Sequence, residues 1–385
     1  VRILISAGEA SGEMYGAELI EALRRIRPDA EFFGAGGESM RQAGCEIIVD
    51  AKDLSVVGIT EILGHLPKIW GLFHKLIAAA DRQTPDVAIV IDSPAFNWRV
   101  AREMKKRGVP VAYYVAPQFW AWRQGRVRLL RKYVDKALVI FPFEQEFYRA
   151  RGVNATFVGH PLAFIKRPEI TRNAFAAQYS LDSSKPWITL MPGSRRKEVR
   201  MNLPTMLQAA AQLGSNEVLI PVAPTLEESW LKQQIGRYPV YMVPDARGAL
   251  IHSRAGIIAS GTATVEAALM KTPFVMVYRV SKLTYLLGKP RIKVPYFAMV
   301  NLIAGEEVVP ELVQDEFTTK NVAERTREIM GDGPVRERMV NKLAKVKEML
   351  IAGSLPHDSA PGQPSTEGST PPERAAKEIL ALQHS

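Results

Sequence analysis

The stretch Ala255-Gly256-Ile257-Ile258-Ala259-Ser260-Gly261-Thr262-Ala263-Thr264-Val265-Glu266 joins a short apolar run to a Ser-Gly-Thr turn and a helix-forming segment. A helix N-terminus leaves backbone N–H groups unpaired and carries partial positive charge, so it stabilises a phosphate without a metal. Gly261 admits close approach of backbone to a ligand, and Ser260, Thr262 and Thr264 add hydroxyl donors. Glu266 lies about one helical turn further on, where a carboxylate can accept bonds from sugar hydroxyls. The same residues also make an ordinary tight turn with a solvated or capping glutamate, because strand-turn-helix units occur in every α/β protein.

Three other segments carry chemistry. Trp187 to Met191 runs into Pro192-Gly193-Ser194-Arg195-Arg196-Lys197-Glu198, which sets a glycine, a hydroxyl and three cations at a strand's carboxyl end, the edge where ligands of parallel sheets bind. An arginine there forks onto phosphate oxygens. Cations at a helix start oppose its dipole, so a solvated basic turn is the poorer explanation. Gly8-Glu9-Ala10-Ser11-Gly12-Glu13 opens a helix after the first strand; it lacks the G-x-G-x-x-G spacing, and its carboxylates suit a hydroxyl-rich acceptor better than a pyrophosphate. Its plain reading is a capped turn with Glu13 in the first helical turn. Asp92, in Asp92-Ser93-Pro94-Ala95-Phe96-Asn97, ends the strand Val87 to Ile91 and is placed to act as general base on a hydroxyl. An Asx turn before Pro94 explains it equally well.

Two further stretches are ambiguous. Tyr113 to Arg123 is aromatic-rich and followed by Arg126, Arg128, Arg131 and Lys132, which suits either core packing or nucleic acid. Leu54 to Leu76 interleaves apolar residues, among them Ile62, Leu63, Leu66, Ile69 and Trp70, with His65, Lys68, His74 and Lys75, a pattern of a buried helix face or of an interfacial helix. The chain has no D-x-D pair, H-E-x-x-H, Walker loop or G-x-S-x-G elbow. No metal site and no cofactor is expected, and electrostatic catalysis is what remains.

These segments need a scaffold. Apolar runs of four to seven residues alternate with helix-period segments throughout, the pattern of parallel α/β layers. Strands are predicted at Arg2 to Ala7, Ala30 to Gly34, Glu46 to Val49, Val87 to Asp92, Val111 to Val115, Lys136 to Phe141 and Thr156 to Val158. A second series is predicted at Trp187 to Met191, Val218 to Pro221, Val240 to Val243, Gly256 to Ala259 and Phe274 to Tyr278. Plausible helices between them include Met14 to Ile26, Trp98 to Arg107 and Gly125 to Tyr133. The expected fold is α/β, two Rossmann-like domains with parallel sheets facing a cleft: residues 1–165, then 166–350, a disordered Gly/Ser/Pro-rich linker at 351–372 and a C-terminal helix at 373–385. The 385 residues fit that domain count. Cys45 is the only cysteine, which excludes a disulfide framework and a cysteine zinc site and fits a reducing cytoplasm. Val1 to Ser6 enters a strand pattern without a signal-peptide pattern, and no apolar run is long enough to span a bilayer, so a soluble or peripheral protein is expected. The net charge of +10 favours anionic partners without choosing among nucleic acid, phosphorylated metabolites and an acidic membrane.

In this order the motifs resemble the lipid-A-disaccharide synthase family, the GT-B glycosyltransferases of Gram-negative lipid A assembly. The resemblance rests on Ala7 to Glu13, Ile91-Asp92-Ser93-Pro94, Trp120 to Gln124, Pro142-Phe143-Glu144, Val158-Gly159-His160, Leu190 to Arg195 with Glu198-Val199, Ala259 to Ala263 with Glu266, and Asn301 to Gly305. It runs to about Leu350 and resumes in the last helix. It implies inverting, metal-independent transfer from UDP-2,3-diacylglucosamine to the 6-hydroxyl of 2,3-diacylglucosamine 1-phosphate (lipid X), giving UDP and the lipid A disaccharide 1-phosphate. By resemblance Asp92 matches the general base and Arg195 a residue important for activity; with Glu13 they form the candidate catalytic set. Ser194, Arg195, Ser260, Gly261, Thr262, Glu266 and Asn301 are expected at the nucleotide-sugar, and Glu9, Ser11 and Gly12 in the acceptor loop. Acylated substrates favour the interfacial reading of Leu54 to Leu76, so the enzyme is expected on the inner membrane's cytoplasmic surface, without nucleic acid. A homodimer exchanging C-terminal elements is also implied. The chain departs from the family pattern at Ala95, where an acidic residue is expected, and in its insertion at 353–372. The alternative is another UDP-sugar enzyme of this fold, an epimerase or a soluble-acceptor transferase.

Overall fold

The computed structural model describes residues 1–8, 10–55, 62–122, 124–281, 284–286, 294–351 and 369–384. The expected linker therefore falls largely outside the described residues, as does Glu9; the side chains of Ser11, Ile62, Leu63 and Leu66 do too.

The chain divides into two compact units, Val1–Phe164 with Leu350–Ser385, and Ile165–Met349. In the first unit β1 (Arg2–Ala7), β2 (Glu31–Gly36), β3 (Cys45–Asp50), β4 (Val87–Ile91), β5 (Val111–Tyr114), β6 (Lys136–Val139) and β7 (Ala155–Phe157) form one sheet in the order β3-β2-β1-β4-β5-β6-β7. Every pairing is parallel, with Ser6 beside Val90 and Ile91 beside Tyr114. In the second unit β8 (Trp187–Met191), β9 (Glu217–Pro221), β10 (Tyr241–Val243), β11 (Ala255–Ala259), β12 (Phe274–Tyr278) and β13 (Glu311–Val313) form a parallel sheet in the order β10-β9-β8-β11-β12-β13. Central strands such as β4 (VAIVI) and β11 (AGIIA) are buried along their whole length. Helices cover both faces of such sheets, which is why these strands read as continuous apolar runs without alternation.

β13 was not expected from the sequence: three residues with one core side chain, Leu312, are too short to show a period. The strands β4 and β5 stop one residue earlier than predicted because Asp92 (φ +46°) and Val115 (φ +55°) are left-handed. The helix Pro94–Lys106 starts four residues before the predicted Trp98, using Pro94 in its first turn, where a missing N–H is harmless.

The C-terminal helix Pro371–Ala381 is fixed by a capping box: the Thr370 N–H donates to Glu373 Oε2 at 2.9 Å. It buries Pro371, Pro372, Ala375, Ala376 and Ile379 and packs on the helix Ala10–Ile26 of the same chain. Ion pairs from Arg25 to Glu373 (3.4 Å) and from Lys136 to Glu378 (2.6 Å) flank that contact.

Candidate active site

Both sheets reverse strand order at one place, and loops at the carboxyl ends of strands flanking such a switch point splay apart to leave a crevice for ligand. In the second unit the switch lies between β8 and β11. A cavity of about 510 Å³ opens there, lined by Met191 to Ser194 and Glu198, by Pro221 to Pro224, by Pro244 to Arg247, and by Ala259 to Ala263 with Glu266. That volume lies within the range of small-molecule sites.

The β11 loop enters the helix Thr262–Leu269 through Gly261, whose φ of +142° and ψ of −164° are reserved for glycine. Among the described residues, a Cβ at Gly261 would meet nothing within 4 Å. No side chain caps this helix. The Thr264 N–H reaches the Gly261 carbonyl at 3.1 Å, which leaves the N–H groups of Thr262 and Ala263 to solvent or an anion. Thr264 spends its hydroxyl on the Gly261 carbonyl (2.8 Å), and Ser260 Oγ donates to the Phe297 carbonyl (2.9 Å).

Glu266, half-buried against the cavity, pairs with Arg247 Nη2 at 3.4 Å. Burial pushes its carboxyl up from the ordinary value, and Arg247 opposes that rise. Glu198 is committed differently: its Oε2 accepts the Ser194 N–H at 3.1 Å and its Oε1 accepts Arg195 Nη1 at 3.2 Å. Gly193, at φ +122°, leaves room for that carboxylate, since a Cβ there would lie 2.6 Å from Glu198 Oε2. Buried Asn202 anchors the loop from below by donating Nδ2 to the Pro192 carbonyl (2.9 Å). Asp245 accepts the Gly248 N–H at 2.9 Å.

The candidate nucleotide-sugar residues are thus not all together. Ser194, Ser260, Gly261, Thr262 and Glu266 line one cavity. Arg195 stands beside it as the N-cap of the helix Arg196–Ala211, with its side chain 79% exposed and outside the lining. Asn301 is fully buried, with its amide engaged by the chain itself: Nδ2 donates to the Val309 carbonyl (2.9 Å) and Glu311 Oε1 (2.8 Å), while Oδ1 accepts the N–H groups of Val308 (2.8 Å) and Val309 (3.0 Å). Glu311 in turn accepts the N–H groups of Phe297 (2.9 Å) and Ala298 (2.8 Å). Asn301 therefore reaches the cavity only through the segment whose Phe297 carbonyl holds Ser260.

In the first unit the switch lies between β1 and β4. Gly8 packs against the turn after β4 so closely that a Cβ would lie 2.5 Å from Ser93 Oγ. Gly12 packs on Ala7 and Ile91. Asp92 and Ser93 are both left-handed, and so is Val115 at the end of the adjoining β5. Such non-glycine residues cost about 1–3 kcal/mol each and cluster at functional sites. Asp92 is half-buried at the sheet's carboxyl edge. Glu13 is occupied as a cap, its Oε1 accepting the Ser39 N–H at 2.7 Å at the start of the helix Glu38–Gln42.

The aromatic stretch after β5 is core: Trp120 is buried and donates Nε1 to Glu144 Oε1 at 2.7 Å, while Tyr148 Oη donates to the Pro117 carbonyl. Burial pushes the Glu144 carboxyl up to about 7 against the pull of Trp120 and of the Phe141 and Ile140 N–H groups. Desolvation holds buried His160 down at about 4, and its Nδ1 accepts the Leu162 N–H. The helix Ile62–Gln83 splits the amphipathic stretch: Phe73 and Leu76 are core, whereas Trp70 is 55% exposed and stacks on Phe73 at 5.4 Å. Among the described residues no helix is long and apolar enough to cross a membrane.

The sequence singles out no role for Arg247, and it carries Asn97 and Tyr113 only inside longer motifs. Arg247 had the same signal as Arg195, a cation just beyond a strand's carboxyl end. Asn97 had the spacing of a first-turn residue that reaches back to the preceding loop.

Two parallel Rossmann-like sheets of this kind define the GT-B fold, shared by glycosyltransferases and nucleotide-sugar epimerases. Among solved structures, the glycotransferase of kitacinnamycin superposes with a TM-score of 0.62 at 14% identity, covering 99% of this chain and 98% of that one. The UDP-GlcNAc 2-epimerase from Neisseria meningitidis, bound to UDP-GlcNAc, gives 0.55 at 11% identity over 100% of both chains. Sequence separates these possibilities: the family described as Lipid-A-disaccharide synthetase matches residues 3–355. A lipid-A-disaccharide synthase of Koribacter versatilis is 52% identical over 99% of this chain and 98% of its own length, and one of Acidobacterium capsulatum 48% over 93% of each. The chain belongs to the lipid-A-disaccharide synthase family and is a glycosyltransferase of lipid A biosynthesis.

Proposed function

We propose that the second unit binds UDP-2,3-diacylglucosamine and that the enzyme transfers its sugar, with inversion, to the 6-hydroxyl of 2,3-diacylglucosamine 1-phosphate. The observation that carries this reading is the cavity at the β8/β11 switch point, where the uncapped helix Thr262–Leu269 and the Gly193-Ser194 turn meet Glu266. The diphosphate lies at the helix N-terminus and Glu266 accepts ribose hydroxyls. Charge developing on UDP as the glycosidic bond breaks is stabilised by fixed N–H dipoles, with Arg195 the nearby exposed cation.

Asp92 is the general base: it takes the proton of the acceptor hydroxyl as that oxygen attacks the anomeric carbon and UDP departs. Glu13 acts indirectly, by fixing the helix Glu38–Gln42. Metal independence is supported by the commitments of the cavity carboxylates, Glu198 to Ser194 and Arg195, Asp245 to Gly248, and Glu266 to Arg247. Exposed Trp70, preceded on the same helix by Ile62, Leu63, Leu66 and Ile69, anchors the enzyme at the inner-membrane surface, helped by the net charge of +10. A homodimer with exchanged C-terminal elements belongs to the same reading.

UDP release from the acylated donor, measured with and without lipid X and with a chelator, tests it. Release is expected only with lipid X and undiminished by the chelator. Equal turnover of unacylated UDP-sugars would favour an epimerase or a soluble-acceptor transferase, and a strict Mg²⁺ requirement would remove the metal-independent mechanism.

A further inference from the structure

The left-handed pair Asp92-Ser93 needs an explanation that its own sequence does not provide. Ser93 precedes Pro94, and a residue before proline is driven to extended conformations, yet Ser93 sits at φ +44° and ψ +59°. What holds the turn is a set of buried polar groups from three strands and one helix.

Asn97, fully buried in the helix Pro94–Lys106, shares the two hydrogens of Nδ2 among the carbonyls of Asp92 (2.9 Å), Ile91 (2.8 Å) and Ser6 (3.2 Å). Its Oδ1 accepts the Ser6 hydroxyl at 2.7 Å, which fixes the amide's orientation. From β5, Tyr113 donates its hydroxyl to the same Asp92 carbonyl at 2.7 Å, and its side chain is 1% exposed. Behind the turn, Gly8 leaves the space that Ser93 fills. Two donors from different elements therefore converge on one backbone oxygen, that of the residue at the switch point's carboxyl edge.

A connection needed only to join β4 to its helix has no use for this. An extended exit would leave no strained residues to hold, and buried amides and phenols are expensive unless satisfied. Two of these bonds, from Asn97 and Tyr113, meet on the backbone of Asp92.

We propose that Asn97 and Tyr113 are positioning residues that lock the backbone of Asp92, so that its carboxylate stands where the acceptor hydroxyl is deprotonated. The proposal rests on the reading of Asp92 as general base. Because they act on the first unit's loop and not on the nucleotide cavity, their loss lowers kcat and leaves UDP affinity alone.

The decisive variants are Tyr113→Phe, which deletes one hydroxyl without changing the ring, and Asn97→Ala, each made also in an Asp92→Asn background. Turnover of the acylated donor with lipid X, UDP affinity by calorimetry and melting temperature are measured on the full chain. Tyr113→Phe is expected to lower kcat by roughly tenfold to a hundredfold, the usual effect of a misplaced catalytic group, with UDP affinity unchanged. In the Asp92→Asn background it should cause no further loss, because the residue it aims has lost its function. Unchanged kcat in Tyr113→Phe overturns the proposal, as does a loss that adds in full to that of Asp92→Asn. Should Asn97→Ala fail to fold, Tyr113→Phe decides alone. Wild-type turnover in Asp92→Asn itself is a separate result: it removes Asp92 as the base and the proposal with it.

Discussion

Replacing Arg247 by methionine should weaken UDP binding in a way that depends on pH. Arg247 and Glu266 are 3.4 Å apart with side chains 29% and 22% exposed, so their pair lies between the exposed and buried limits. Coulomb attraction at that distance is about 5 kcal/mol at an effective dielectric constant of about 20. Partial solvent screening and the lost freedom of two side chains reduce the net to roughly 1–2 kcal/mol, which sets a ceiling of about 5–30-fold on the loss in Kd. Burial already raises the Glu266 pKa and Arg247 pulls it down, so removing the cation raises it further. In the proposed site the ionised carboxylate accepts the ribose hydroxyls, and that form is lost as pH falls through the raised value. The variant's deficit in UDP affinity should therefore grow as pH falls, and it is read between pH 8 and pH 6. Calorimetric titration of UDP into wild type, Arg247→Met and Arg247→Lys across that range reads the effect, with the lysine variant intermediate. A deficit of equal size at every pH would mean that Arg247 contacts the nucleotide itself, and identical affinities would mean that the pair is not at the binding site.

Gly261→Ala should weaken UDP binding about tenfold, because Cβ has room but the backbone at φ +142° does not suit alanine, a cost of about 1–3 kcal/mol; unchanged affinity would show that the turn does not hold the diphosphate. Glu144 carries its pKa up to about 7 in the folded chain from an ordinary 4.5, so its contribution to stability is fully present below about 4.5 and is lost as pH rises through about 7. Glu144→Gln should therefore flatten the pH dependence of the melting temperature over that interval, and parallel curves for the two proteins would refute the assignment. Ile379→Asp, at a fully buried position of the C-terminal helix, should cost about 2–4 kcal/mol on thermal unfolding. A surface-like effect of under about 0.5 kcal/mol would mean that the helix is not docked on Ala10–Ile26 in solution. Asn301→Ala should lower the melting temperature and weaken UDP binding together, since it frees the Val308, Val309 and Glu311 contacts. Weaker binding with an unchanged melting temperature would instead place Asn301 on the ligand.

Much of this was legible in the residues. The runs at β4 and β11 are too apolar and too short for anything but strands buried on both faces, and the Ser-Gly-Thr break after β11 announced a helix start at the sheet edge. The strand order was not legible from pattern alone, and it is the order that makes the turns after β8 and β11 neighbours. Roles carried by spatial partners were equally hidden. Nothing in the sequence around Glu13 says that its carboxylate caps a helix 26 residues away. Asn301 reads as a polar residue near a glycine, yet its amide is bonded to Val308, Val309 and Glu311. The amphipathic stretch misled for a related reason: periodicity cannot tell a core face from an interfacial one, and the helix Ile62–Gln83 contains both.

The two switch points solve one structural problem with opposite electrostatics. Each places a loop with a residue at positive φ just beyond a fully apolar central strand, Asp92-Ser93 after β4 in one unit and Gly261 after β11 in the other. In the second unit glycine supplies the conformation, so backbone N–H groups can approach an anion without side chains intervening. In the first unit the same kind of backbone is forced on non-glycine residues, and the strain is held by Asn97 and Tyr113. The difference follows from what each loop has to present. A phosphate is best bound by backbone, and the cheapest backbone is glycine; a proton is taken by a side chain, which glycine lacks, so under the proposed role of Asp92 its turn has to be stabilised by other residues.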